Sequence, residues 1–109
     1  MKFDIIISNS LLHHLHKPED FWETVKALSH DDSQIFIADL FRPESESEIQ
    51  TLVTRHMADS PPVLKKDFYN SLNAAFTPLE IQEQLEQAGL TGFEILKLSD
   101  RHQVIFKPT

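Results

Sequence analysis

Apolar residues are spaced along this chain in two rhythms. Ile5, Ile6 and Ile7 form a short unbroken run, the pattern of a strand covered on both faces in a parallel sheet. QIFIADLF, Gln34 to Phe41, repeats that pattern. Between the two, KPEDFWETVKALS sets Phe21, Trp22, Val25 and Leu28 on one apolar face at helical spacing. Pro18 suits a first helical turn, and Glu19 and Asp20 favour the positive end of the helix dipole. FTPLEIQEQLEQAGL is punctuated as another helix. Thr77 is its predicted N-cap, Pro78 follows, Glu80 completes a capping box and Phe76 is placed to staple against Ile81. Ile81, Leu85 and Ala88 supply the buried stripe, and Gly89 is the expected left-handed stop. Two last runs, FEILKL (Phe93 to Leu98) and QVIFK (Gln103 to Lys107), flank SDRH closely enough to pair as antiparallel strands.

The middle third differs in kind. RPESESEIQTLVTRHMADS has an acidic first turn, then Ile49, Leu52, Val53, His56 and Met57 at helical spacing, before Pro61 and Pro62 break it. A further helix is predicted beyond, with Leu64, Phe68, Leu72 and Ala75 as its stripe. One helix suffices to cross between parallel strands, so this pair, residues 44–75, reads as an insertion or lid that covers something. The order of strand, helix, strand, helical insertion, helix, strand, strand predicts an α/β fold with right-handed crossovers and an antiparallel hairpin at one edge.

Composition narrows what such a fold does. A chain of 109 residues, 40% of them apolar, fits one domain spanning residues 1–109 around a single core. With 17 acidic against 10 basic residues and a net charge of -7, it repels a phosphate backbone, and nucleic acid is not an expected partner. The absence of cysteine removes disulfides, thiolate metal sites and cysteine nucleophiles, and fits the reducing cytoplasm. No apolar run approaches ~18 residues and the N-terminus lacks the regions of a signal peptide, so no membrane association is expected. Only two glycines occur, which leaves no room for a phosphate-cradling loop of the GxGxxG or GxxxxGK type.

Taken together, FDIIISNSLLHHLHKPEDFW, IFIADLFRP, FTPLEIQEQLEQAGL and DRHQVIF resemble the C-terminal half of class I S-adenosylmethionine-dependent methyltransferases, over nearly the whole chain. That family has a Rossmann-like sheet of seven strands in the order 3-2-1-4-5-7-6, with the seventh antiparallel. The resemblance implies that this chain is a partial sheet, strands 4-5-7-6, with a two-helix insertion. It also implies S-adenosylmethionine as cofactor and a small molecule as methyl acceptor. The glycine-rich loop and the acidic ribose ligand of the family lie before its fourth strand, so a truncated chain, inactive alone, is expected. By the same resemblance Asn9, Ser10 and Leu11 lie where the family meets the methionine part of the cofactor. His14 matches the second histidine of a common HH pair, near the transferring methyl group, and becomes the candidate catalytic base. Asp39, Arg42 and Tyr69 become candidate substrate contacts. Histidine suits the base role because its ordinary pKa is near neutral.

Each of these residues has a plainer reading. His13 and His16 share a helical face and invite a metal site, yet no further ligand stands at a recognisable spacing. A packed or hydrogen-bonded His13, and a His16 that merely enters the next helix, are the readings favoured over ligation. Asp39 also reads as a turn residue, Arg42 as a surface ion pair with Glu44 or Glu46, Phe68 and Tyr69 as core aromatics, and Ser99 to His102 as a polar turn.

A half-sheet has a consequence of its own. The strand Phe3 to Ser8 becomes an edge with no proline and no charge after Asp4, a template for another chain. A homo-oligomer joined through that edge is expected, and a non-enzymatic self-associating module stands as the alternative to a methyltransferase half.

Overall fold

The computed structural model describes residues 1–108. The first strand, β1 (Phe3–Asn9), runs into a 3-10 turn at Leu12–His14 and then helix α1 (Pro18–Leu28), which leads without a loop into strand β2 (Ser29–Leu40). Two helices follow, α2 (Glu46–Met57) and α3 (Pro62–Ala74), then α4 (Pro78–Gln87) and the hairpin of β3 (Glu94–Lys97) and β4 (His102–Lys107). Every predicted element is present.

The described residues form one four-stranded sheet in the order β1-β2-β4-β3. β1 and β2 are parallel; β4 is antiparallel to both β2 and β3 and lies between them. β3 therefore runs in the direction of β1 and β2. β2 begins earlier than Gln34 because HDDS is drawn into the sheet through a bulge, with the register advancing from Phe3↔Ser29 to Ile5↔Gln34. Side chains hold the extra residues: the buried Ser33 hydroxyl donates to the Phe3 carbonyl, and His30 Nε2 lies 2.7 Å from Asp4 Oδ1.

The alternation of β2 divides its residues between two faces. Ile35 and Ile37 join Ile105 of β4 under α1 and α4, where Trp22, Val25, Ile81, Leu85 and Leu12 complete the main core. Trp22 is fully buried; its indole N–H donates to Gln84 Oε1 at 2.8 Å, and its ring meets Phe93 edge-on. Leu40, on the opposite face, packs with Ile49, Leu52 and Leu72 of α2 and α3. That helix pair covers only the carboxyl end of the face. Lower down, Ile5, Ile7 and Phe36 stay 61%, 72% and 47% exposed. The stripe expected for α3 is shortened for the same reason. Leu72 and Ala75 are buried and Phe68 is half-buried, whereas Leu64, in the first turn of α3, is exposed.

Helix α4 starts as its sequence directs. The Thr77 hydroxyl accepts from the Glu80 N–H at 3.1 Å, and Glu80 Oε1 accepts from the Thr77 N–H at 2.9 Å. Gly89 ends it at φ +72°, the left-handed conformation that favours glycine. Ile81 is wholly buried in the main core. Ile81→Ala should lower the unfolding free energy by ~2–5 kcal/mol through a cavity, and Thr77→Ala by about 1 kcal/mol through the lost cap. Urea titration followed by circular dichroism measures both.

Candidate functional site

The site is built where β1 and β2 end side by side. Ser10 extends the parallel ladder by one bond, its N–H donating to the Ala38 carbonyl at 2.8 Å, and then turns the chain at φ +59°. A non-glycine residue in that region is uncommon and costs energy, and such residues concentrate at functional sites. The Ser10 hydroxyl donates to Asn9 Oδ1 at 3.1 Å, and both residues are exposed. After Leu11, half exposed at the rim, the 3-10 turn folds back over the end of β2.

Asp39 holds that turn in place. Its carboxylate is 2% exposed and accepts from the His13 N–H at 3.0 Å and the Leu40 N–H at 2.8 Å. His13 Nδ1 completes the set at 2.5 Å from Oδ1. A buried carboxylate needs such donors, because removing a charge from water costs several kcal/mol. Asp39 is thus engaged by protein groups on every side described, and reaches an acceptor only through His13. The His14 ring lies 3.9 Å from that of His13 and, unlike it, is exposed. His16 is exposed as well. Chemically, a histidine oriented through Nδ1 by a carboxylate is an arrangement that receives a proton at Nε2.

Arg42 pairs with neither Glu44 nor Glu46. Its guanidinium lies 2.9 Å from Glu80 Oε1 and donates to the Ala75 carbonyl at 3.1 Å, because the Phe41↔Phe76 bridge draws the start of α4 beside the end of β2. Burial works against the Glu80 charge, but the Thr77 N–H and Arg42 outweigh it and hold the carboxyl below its ordinary range. Gln103, buried beside Asp39 in register, donates from Nε2 to the Leu40 and Phe76 carbonyls and locks the same junction. Tyr69, on α3, donates its hydroxyl to Glu46 Oε1 at 2.7 Å, which pushes the phenol pKa up. It ties the two inserted helices together.

SDRH is more than a polar turn. Asp100 accepts from Arg55 Nη1 at 2.6 Å and from Arg101 Nη1 at 3.0 Å, and lies 3.0 Å from His56 Nε2. His56 Nε2 also lies 3.2 Å from Arg101, but one nitrogen cannot donate and accept at once; Arg101 already reaches Asp100 directly, so Nε2–H donates to the carboxylate. Three donors from α2 and the turn thus pin α2 to the hairpin. Between them opens a cavity of about 390 Å³ lined by Phe41, Glu44, Glu48, Arg55, Lys97 and Asp100. Lys97 Nζ sits 4.4 Å above the Phe41 ring. His102, next to this cluster, has its imidazole pKa lowered by burial and by the Arg101 charge.

Asn9, Ser10, Leu11 and His14 fall together at the carboxyl end of β1, whereas Asp39, Arg42 and Tyr69 are each engaged by protein partners. Asp39 had a legible signal: it shares the parity of Ile35 and Ile37, so a carboxylate was bound for the buried face and needed donors. Only Arg101 stands near Asp100 in sequence; its partners on α2, Arg55 and His56, lie more than forty residues away.

The sheet order, the antiparallel β4 between two strands of common direction, and α1 and α4 on one face define a partial Rossmann-like α/β fold. Solved structures share it. A SAM-dependent methyltransferase from Aquifex aeolicus superposes with a TM-score of 0.60 at 17% identity, covering 94% of this chain and 44% of its own. A candidate O-methyltransferase from Nostoc punctiforme gives 0.59 at 16% identity, covering 97% of this chain and 32% of its own. A candidate methyltransferase from Bacillus halodurans gives 0.56 at 15% identity, covering 99% and 65%. This chain therefore spans less than half the length of the first of these structures. No protein-family model and no curated protein matches the sequence. Among the described residues no helix is long and apolar enough to cross a membrane.

The Asp100 cluster predicts a pH dependence. Hydrogen bonds from His56 and Arg55, joined by Arg101, outweigh desolvation and hold the Asp100 carboxyl well below the usual range. A carboxyl more acidic folded than unfolded contributes stability that is fully present above its unfolded value, about pH 4, and is lost as pH falls toward its folded value. The stability difference between the wild type and Asp100→Asn should therefore be level above about pH 5 and shrink steadily below pH 4. Urea unfolding of both chains across that range checks it, and a difference that does not shrink contradicts it.

Proposed function

We propose that these residues form the acceptor-side half of an S-adenosylmethionine-dependent methyltransferase acting on a small molecule in the cytoplasm. The observation that carries this reading is the sheet order β1-β2-β4-β3, shared with solved methyltransferases at TM-scores up to 0.60. The polar, exposed Asn9 and Ser10 and the left-handed turn at Ser10 suit one lip of a cofactor crevice, since open α/β sheets bind ligands at the carboxyl ends of parallel strands. The two glycines, Gly89 and Gly92, both fall between α4 and β3, remote from that lip, so the fit is to the amino-acid end of the cofactor and not to its nucleoside.

In this reading the bound cofactor supplies an electrophilic methyl group. Asn9, Ser10 and Leu11 orient its methionine portion. His14 takes the proton of the attacking nucleophile, and His13, oriented by Asp39, braces it. The acceptor lies toward the cavity between β2 and α2, and Arg42 and Tyr69 contact it by releasing Glu80 and Glu46. Holding nucleophile and methyl carbon in attack geometry supplies most of the rate that such a displacement requires. The bare edge and face of β1 favour a second reading, a self-associating module without activity.

Calorimetric titration with S-adenosylmethionine separates the two. The chain alone should show no saturable binding at micromolar concentration. Extended by a glycine-rich strand-loop-helix half, from the upstream reading frame or a second gene, it should bind, and Asn9→Ala should weaken binding about tenfold, or ~1.4 kcal/mol. Absence of binding by the extended form overturns the methyltransferase reading; micromolar binding by the chain alone overturns its dependence on a second half.

A further inference from the structure

The outer edge of β1 carries a self-complementary strand. Ser10 N–H bonds to β2, and the register pairs Asn9 with Ala38, so by strand alternation the even-numbered residues of β1 bond inward. Ile5, Ile7 and Asn9 therefore direct their N–H and C=O groups to the open edge. β1 has seven residues, Phe3–Asn9, and Ile6 is its midpoint. An antiparallel copy centred there sets Ile5 of one chain against Ile7 of the other, Asp4 against Ser8 and Phe3 against Asn9. The Ile5–Ile7 pairs are then hydrogen-bonded ones, which uses the open groups, whereas the Phe3 carbonyl beyond the bulge is already held by Ser33. No like charges meet. A centre moved to Ile5 sets Asp4 against Ile6, and one moved to Ile7 sets Ile5 against Asn9. The register at Ile6 alone pairs the full strand and keeps apolar residues together on the open face.

Edge strands are ordinarily protected by proline, inward charge or a covering loop. β1 has none of these after Asp4, and Asp4 itself is turned to His30. Beside it Ile5, Ile7, Phe36 and Phe106 line a shallow apolar depression of about 300 Å³ on the uncovered face. We infer that β1 docks against β1 of a second copy, antiparallel and centred on Ile6, joining two half-sheets into one of eight strands. This rests on the half-sheet reading of the fold but not on methyl transfer, so it stands or falls independently of the cofactor titration.

The chain has no cysteine, which makes a register test direct. Under mild oxidation Ile6→Cys should form a disulfide-linked dimer, because the two residues face each other across the two-fold axis, and Ile5→Cys should not. A charge swap tests the edge itself. Chains with Ile5→Lys and Ile7→Lys, or with Ile5→Glu and Ile7→Glu, should each sediment as folded monomers, with wild-type helix content by circular dichroism. Mixed, they should sediment as a heterodimer. A wild-type chain that sediments as a monomer at micromolar concentration overturns the inference, as does a dimer indifferent to both charge pairs or cross-linking at Ile5 in preference to Ile6.

Discussion

Burying the Asp39 carboxylate obliges the chain to bring donors to it, and much of the candidate site follows from that. The position is set by strand parity: β2 sends Ile35 and Ile37 into the main core, and Asp39 follows them two residues later. At 2% exposure the carboxylate has little access to water, so the donors come from the protein. His13 supplies two, from its backbone and its ring, and in doing so folds the 3-10 turn back over β2. Asn9 and Ser10 before that turn, and His14 at its end, are held at the rim as a result. The exposed rim at the end of β1 is the surface expression of a buried electrostatic requirement.

A second constraint acts just beyond Asp39, where β2 ends. The chain leaves the sheet at Phe41 and returns to α4 at Phe76, and the two residues bridge directly. Gln103 and Arg42 fasten this junction from opposite sides, the first through backbone carbonyls and the second through Glu80 and Ala75. The thirty-odd residues between are free to form the α2–α3 pair without disturbing the sheet. That pair gains its hold on the hairpin through Asp100 and on the sheet through Leu40. The cavity beside Phe41 exists because the two attachments stand apart.

The sheet is covered unevenly, and this connects fold to function. One face is sealed by α1 and α4 around Trp22 and Ile81, which gives the half-sheet a core of its own. The other is sealed only near its carboxyl end, leaving Ile5, Ile7 and Phe36 bare beside an unpaired strand. An apolar face next to an open edge favours association.

Local physics made most of the fold legible. Pro18, Thr77, Glu80 and Gly89 act within one or two turns of their own helix, and the short, β-branched apolar runs read as strands by length and composition, so element type and order could be read without tertiary information. The resemblance to the methyltransferase family added the strand order. What the sequence could not reveal was pairing across distance: Asp39 with His13, Arg42 with Glu80 and not Glu44 or Glu46, and Asp100 with Arg55 and His56. Nor could it foresee that Leu64 is exposed while Leu72 is buried, since both occupy the same helical stripe. Hydrogen bonding within a turn depends on neighbours in sequence. The partners of a buried or clustered charge depend on which strand ends the completed sheet sets side by side, and that was decided only when β1, β2 and β4 came together.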